Sequence, residues 1–145
     1  PVPIGNRYLQ GQPILPYANV KAYPGTDIFM DFSFVDHTNT PVVPTSISIE
    51  IDDITNSVVM AGPSTLSAAG SNASPFIYPA FASTMYLQVS GSVWQMTFPY
   101  IGSQLCQVGA QFTAIDSVTG QPFTSNAVIA IIELCALATV SGMAY

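Results

Sequence analysis

Apolar and polar positions alternate with a period of two through most of the chain. In Ile28-Phe29-Met30-Asp31-Phe32-Ser33-Phe34 every even position is apolar, and Ser46-Ile47-Ser48-Ile49-Glu50-Ile51-Asp52 alternates strictly. Such alternation sends one set of side chains to a core and the other to water, so both stretches predict half-buried strands. Further strands are predicted at 58–60, near 65–68, at 76–78, 85–89 and 94–101, the last bent or at an edge because of Pro99. A long strand follows at 105–115, where Cys106, Val108, Ala110, Phe112 and Ala114 share a face. The final strand, 123–137, is apolar at both parities over 128–134, which predicts burial on both faces, inside an assembly or under an arm. Clusters of turn-forming residues at Asp36–Pro41, Asp53–Ser57 and Asp116–Gln121 separate these segments, and Gly62-Pro63 reads as a simple turn. Seven to nine short strands with no amphipathic helix predict an all-β, antiparallel β-sandwich, with two sheets supplying apolar residues to one core.

Residues 1–25 break this pattern. They hold five of the twelve prolines, at 1, 3, 13, 16 and 24, which leave no room for a regular helix or a central strand. The segment nevertheless carries Ile4, Tyr8, Leu9, Ile14, Leu15, Tyr17, Val20 and Tyr23, more apolar surface than a solvated linker needs. The chain therefore divides into an extended Pro-rich N-terminal arm, 1–25, and a β-sandwich domain, 26–145. An extended arm of this kind docks either on a neighbouring molecule or back onto its own sheet edge; the intermolecular docking is the one favoured here.

Charge sharpens the division. The chain has eight acidic and two basic side chains, 7% charged against 49% hydrophobic, where soluble domains carry about 25% charged residues. A surface so poor in charge points to an assembly subunit that meets other protein, with a homo-oligomer expected. Both cations, Arg7 and Lys21, lie in the arm, and all eight carboxylates lie beyond residue 26. Bodies repel one another, and an arm is attracted to a neighbour's body. Two cations cannot displace counterions from a phosphate backbone, so nucleic-acid binding is excluded. The apolar stretch 127–140 contains Glu133 and is shorter than the ~20 residues of a spanning helix, so it predicts a buried segment and no membrane partner. The opening Pro-Val-Pro-Ile lacks the regions of a secretion signal.

Candidate chemistry is sparse. The sole histidine, His37, sits in a turn far from either cysteine, which argues against a nucleophile and base pair, and three His and Cys residues at wide spacing do not make a zinc site. Asp52 and Asp53 point to opposite faces of a strand, so a turn-capping role is preferred to a calcium site. No glycine-rich phosphate loop is present and no cofactor is expected. Cys106 and Cys135 are either two buried thiols or one bridge. The aromatic residues Tyr78, Tyr86, Trp94, Phe98 and Tyr100 either fill the core or form a stacking platform for a glycan, with Trp94 the leading binding candidate. The residues expected at an interface are Arg7, Tyr8, Leu9, Ile14, Leu15, Tyr17, Lys21, Tyr23 and Trp94. No enzymatic activity is expected.

The segment Pro44-Thr45-Ser46-Ile47-Ser48-Ile49-Glu50-Ile51-Asp52-Asp53-Ile54-Thr55-Asn56-Ser57-Val58-Val59 and the later run Phe112-Thr113-Ala114-Ile115-Asp116-Ser117-Val118-Thr119-Gly120 resemble the strand and turn patterns of small immunoglobulin-like virion proteins of tailed bacteriophages. The likeness covers roughly 28–135 and consists of turn and strand chemistry; the body lacks the basic residues such domains scatter over their strands, and the arm falls outside it. The resemblance implies an immunoglobulin-like sandwich and three roles: capsid decoration or cement, tail or neck attachment, and host-surface recognition. The arm and the charge-poor surface favour decoration or cementing, with the major capsid protein or other virion proteins as partners. The implied location is the virion, assembled in the host cytoplasm, with Pro1 as the mature terminus.

Overall fold

The computed structural model describes residues 2–9, 20–96 and 103–135. Among them are nine strands and no helix: β1 Val2–Leu9, β2 Val20–Ala22, β3 Ile28–Phe34, β4 Ser46–Asp53, β5 Val58–Thr65, β6 Phe76–Ile77, β7 Thr84–Val89, β8 Ser103–Ile115 and β9 Pro122–Cys135. They form a four-stranded sheet in the order β1-β3-β7-β6 and a five-stranded sheet in the order β2-β9-β8-β4-β5. The predicted all-β sandwich is the fold observed.

The core is built by the alternation that predicted it. Ile28, Met30, Phe32 and Phe34 of β3, with Met85, Leu87 and Val89 of β7, face Ile47, Ile49 and Ile51 of β4 and Cys106, Val108, Ala110, Phe112 and Ala114 of β8. Phe34 and Phe112 meet across the sheets with ring centroids 5.0 Å apart, and Phe112 meets Phe123 edge-on at 5.6 Å. Each such side chain contributes about 1.5–3 kcal/mol through burial.

Four expectations are corrected. The strand predicted at 94–101 does not begin at Trp94: residues 91–93 form a turn after β7 and 94–96 are irregular, while 97–101 lie outside the described residues. The strand near 65–68 is the end of β5, which stops at Thr65. Gly62-Pro63 is not a turn but a cis peptide inside β5, where the register to β4 shifts between Ile49 and Ile51. Finally, within a single chain β9 is not buried on both faces. A register shift opposite Val108 and Gly109 inserts an extra residue, so Ile129 and Ala130 both face the core, whereas Val128 is exposed and Ile131 half-buried on the outer face.

The N-terminal segment supplies two edge strands. β1 runs parallel to β3, from Val2 opposite Ile28 to Leu9 opposite Phe34, with a register break between Pro3 and Asn6. β2 runs parallel to β9, with Lys21 opposite Glu133. Residues 2–9 and 20–22 thus lie along this chain's own sheets, the alternative to the intermolecular docking favoured from sequence. Both strands cover an otherwise open edge, one on each sheet. The remaining edges are β6, only two residues long, and β5, interrupted by Pro63; short and proline-broken edges resist unwanted pairing.

Candidate interaction surface

The outer face of the five-stranded sheet carries a groove of about 550 Å³. Strand register builds it from rows of outward residues: Ser48, Gln111 and Asn126; Glu50, Gly109 and Val128; Asp52, Gln107 and Ile131. Gly109 presents no side chain, so the middle row sinks between its neighbours, and Pro63 of β5 walls one side. The lining mixes amide, hydroxyl and carboxylate groups with the apolar Pro63, Ala110 and Val128, and the strands that form it contribute no cation. Glu50 and Asp52 share the face because they are two residues apart on one strand. A protonated Glu50 donates to Asp52, and the negative charge of Asp52 adds to this, so Glu50 holds its proton above the ordinary carboxylate range. With both groups ionised, the shielded Oδ1 of Asp52 has no hydrogen-bond donor. Lys21 is exposed on β2 opposite Glu133, at the far border of the same sheet.

A second constellation closes one end of the sandwich. Asp36 follows β3 and Asp116 follows β8; with His37 they bring three potential ligand atoms within 4.8 Å of one another. The carboxylates are already committed, however. Asp36 Oδ1 accepts from Thr38 N–H at 2.9 Å, Thr38 Oγ1–H at 2.6 Å and Thr40 N–H at 3.1 Å, and Oδ2 accepts from Ser117 N–H at 2.9 Å and from the Ser117 hydroxyl. Asp116 Oδ1 accepts from Val118 N–H at 2.8 Å and Thr119 N–H at 3.0 Å, and Oδ2 pairs with His37 Nδ1. A cation would have to displace these donors, so the cluster is a lock between the 35–41 turn and the 115–121 turn. The Ser117 and Thr38 hydrogen bonds hold Asp36 well below the usual carboxylate range, and those from Thr119 and Val118, with His37, lower Asp116.

The residues expected at an interface are dispersed. Arg7, Tyr8 and Leu9 lie on β1, paired with Phe32, Ser33 and Phe34. Lys21 is exposed on β2 and Tyr23 is half-buried just after it, while Ile14, Leu15 and Tyr17 lie outside the described residues. Trp94 is fully buried, and its Nε1–H donates to Val89 O at 3.3 Å, so it offers no face to a glycan or to a partner molecule. A large aromatic ring after a tight turn was removed from water by the core. Cys106 and Cys135 are both buried and are not bridged to each other, and desolvation pushes the Cys106 thiol up to about 12. Asp53 caps the β4–β5 turn by accepting from Asn56 N–H at 3.0 Å and Asn56 Nδ2–H at 2.8 Å, the role preferred from sequence.

Sequence reasoning missed the groove and the lock. The signal for the groove was a glycine at 109 between outward glutamines 107 and 111, since a glycine inside a strand marks a place where the surface dips or another group approaches. The lock had no local signal, because His37 and Asp116 are 79 residues apart. Among the described residues no helix is long and apolar enough to cross a membrane. Comparison with protein families, with curated proteins and with solved structures finds no match to this chain.

Proposed function

We propose that this chain is a non-catalytic structural subunit of a virion, of the type that decorates or cements a bacteriophage capsid. It binds shell subunits and neighbouring copies through its N-terminal strands and sheet edges. One observation carries the reading: the segment with the chain's only two cations supplies the edge strands β1 and β2, and the body they cover holds every carboxylate. An edge strand contributes main-chain hydrogen bonds that any matching edge can receive, and its charge selects an acidic body. The strand order gives further support. β1-β3-β7-β6 and β9-β8-β4-β5 follow the A-B-E-D and G-F-C-C′ succession of immunoglobulin-type sandwiches, although β1 departs from it by pairing parallel to β3.

The groove on the five-stranded sheet is a second contact face whose carboxylates suit a cationic partner surface. Trp94, the leading residue for a glycan-binding role, is buried in the core and does not support that reading. The test is quantitative mass spectrometry of purified virions from the source, with Arg7→Glu/Lys21→Glu as the comparison. Copy numbers comparable to the major shell protein, falling sharply in the doubly reversed variant while its far-ultraviolet spectrum is unchanged, are the expected result. A handful of copies moves the protein to the neck or tail, and absence from particles overturns the reading.

A further inference from the structure

We propose that β1 is exchanged between copies of this chain: residues 2–9 of one copy lie along β3 of the next, while β2 stays on its own β9. This rests on the association reading above and names its partner, a second copy, and its receiving edge, β3.

The two N-terminal strands are tethered very differently. β2 ends at Ala22 and the chain turns at once into β3, through Thr26 N–H donating to Tyr23 O at 3.3 Å and Gly25 N–H donating to Trp94 O at 2.7 Å. Gly25 has φ +82°, a conformation that favours glycine and fixes the turn. β2 therefore cannot leave without dismantling the start of β3. β1 is separated from β2 by ten residues. Its ladder is parallel, broken between Pro3 and Asn6, and lacks one donor because Pro3 has no N–H. Parallel ladders are also slightly weaker per residue than antiparallel ones.

Chain length permits the step to a neighbour. The path from Leu9 to Val20 reaches about 36–40 Å when extended. The crossing within one molecule is shorter. Leu9 pairs with Phe34, Phe34 touches Phe112, and Phe112 is opposite Ser125, while Val20 is opposite Ile132. That offset along β9 is about 23 Å at the rise of a strand, with about 10 Å between sheets. The surplus of roughly 10 Å lets the same strand reach a β3 edge on a copy packed against this one.

Contact energetics do not oppose exchange once copies are close. A strand moved to an identical edge re-forms every ladder bond it gave up, so the exchange costs no contacts and is decided by effective concentration. Charge does not oppose the step. Each copy is formally −6, so bodies repel, and the single charge on β1 is the positive Arg7. In its new position it enters the field of a second acidic body, and it does not carry net repulsion with it.

The register supplies the test. Asn6 and Asp31 are Cα partners, and adjacent strands lie about 4.8 Å apart, within the span of a disulfide. Asn6→Cys and Asp31→Cys are introduced into separate chains of different mass, which are co-expressed and oxidised. Tyr8→Cys with Ser33→Cys is a second register pair in case the first variant folds poorly. Lys21→Cys/Glu133→Cys, made in one chain, tests whether β2 stays at home and should link within a single chain. The native thiols are buried and do not compete. The expected result is a disulfide-linked heterodimer that takes about half of the chains on non-reducing gels, the share that random exchange between the two kinds of chain gives. Exchange is overturned if the co-expressed chains remain unlinked and only the double variant Asn6→Cys/Asp31→Cys links, within one monomer. In that case the size of the unaltered chain in solution separates the two ideas. An oligomer leaves the association reading standing with a different contact, and a monomer at every concentration removes the exchange together with the binding of neighbouring copies, leaving only the binding of shell subunits to the virion test.

Discussion

At one end of the sandwich the turns at 35–41 and 115–121 are tied together by carboxylates, whereas at the other the 23–27 and 90–96 segments are tied by backbone packed on backbone and by a buried indole. At the first end, Asp36 gathers five donors from Thr38, Thr40 and Ser117, and Asp116 gathers two backbone donors and His37. At the second, Trp94 is fully buried, Gly25 N–H reaches Trp94 O, and a Cβ on Gly91 would lie 2.0 Å from Gly25 O. Asp27 joins that end by accepting from Gly91 N–H at 2.7 Å, but its role is to hold a contact that shape has already fixed. One end is closed by ionised groups and responds to acid. The other is closed by volume and responds to sterics.

The largest effect is expected from removing volume. Trp94→Ala deletes the largest fully buried side chain and the contact that seats Gly25. Its expected cost is about 3–5 kcal/mol, much of the about 5–15 kcal/mol that holds an average domain. Urea unfolding followed by far-ultraviolet circular dichroism measures it, and a loss well under 1 kcal/mol would mean that this end does not depend on the indole. Adding volume comes next. Gly91→Ala drives a methyl into the Gly25 carbonyl, a backbone atom that cannot rotate away, so the cost should reach the upper part of the about 1–3 kcal/mol typical of overpacking. The loss should be the same at pH 7 and pH 3, because nothing in the clash titrates.

How much of this was legible in the sequence follows from where each contact gets its information. The core of β3, β4 and β8 was read correctly because alternation is local: Ile28 to Phe34 declares its buried face without reference to any other strand. β9 was misread because its bulge near Ile129 is set by pairing with Val108 and Gly109, and two consecutive inward residues look like a strand apolar on both sides. Trp94 stands in the sequence both as a core filler and as a binding candidate, because only the turn at 91–93 reveals that the chain folds it inward. The groove needed both strand order and register before Glu50, Gly109 and Val128 could be seen as one row. The prolines of the N-terminal segment mark it as extended, but the edges on which residues 2–9 and 20–22 lie are defined by partners 25 to 112 residues away.

Acid should separate the two ends. Asp36 titrates in the folded chain below its ordinary value of 3.8 because donors from Ser117 and Thr38 favour its ionised form. A carboxylate with a lowered folded value contributes stability that is fully present above the ordinary value and lost as pH falls through the folded one. Asp36→Asn should therefore lower the urea midpoint at pH 7, and the gap to the unaltered protein should close as pH falls below 3.8. Asp116→Asn should behave alike with a smaller gap, since Asp116 has fewer donors. A gap that stays constant down to pH 2 would show that the lock acts through shape, like the other end.

The smallest effect, opposite in sign, is expected on the groove, where carboxylates face each other and not donors. Glu50 is raised by Asp52, so ionising both costs the folded chain something the unfolded chain does not pay. A raised folded value leaves its stabilising share intact below the ordinary 4.5 and removes it as pH rises through the folded value. Glu50→Gln, which keeps the size of the side chain and deletes its charge, should raise the urea midpoint slightly at pH 7 and leave it unchanged below pH 4. The gain should shrink in high salt, because the pair lines an open groove where ions screen it. A loss at pH 7 would mean that Glu50 is already satisfied by a contact within the chain. A gain would mark the groove as holding unneutralised charge that the body, which has no Lys or Arg beyond residue 21, must meet with a partner's cation or leave to solvent.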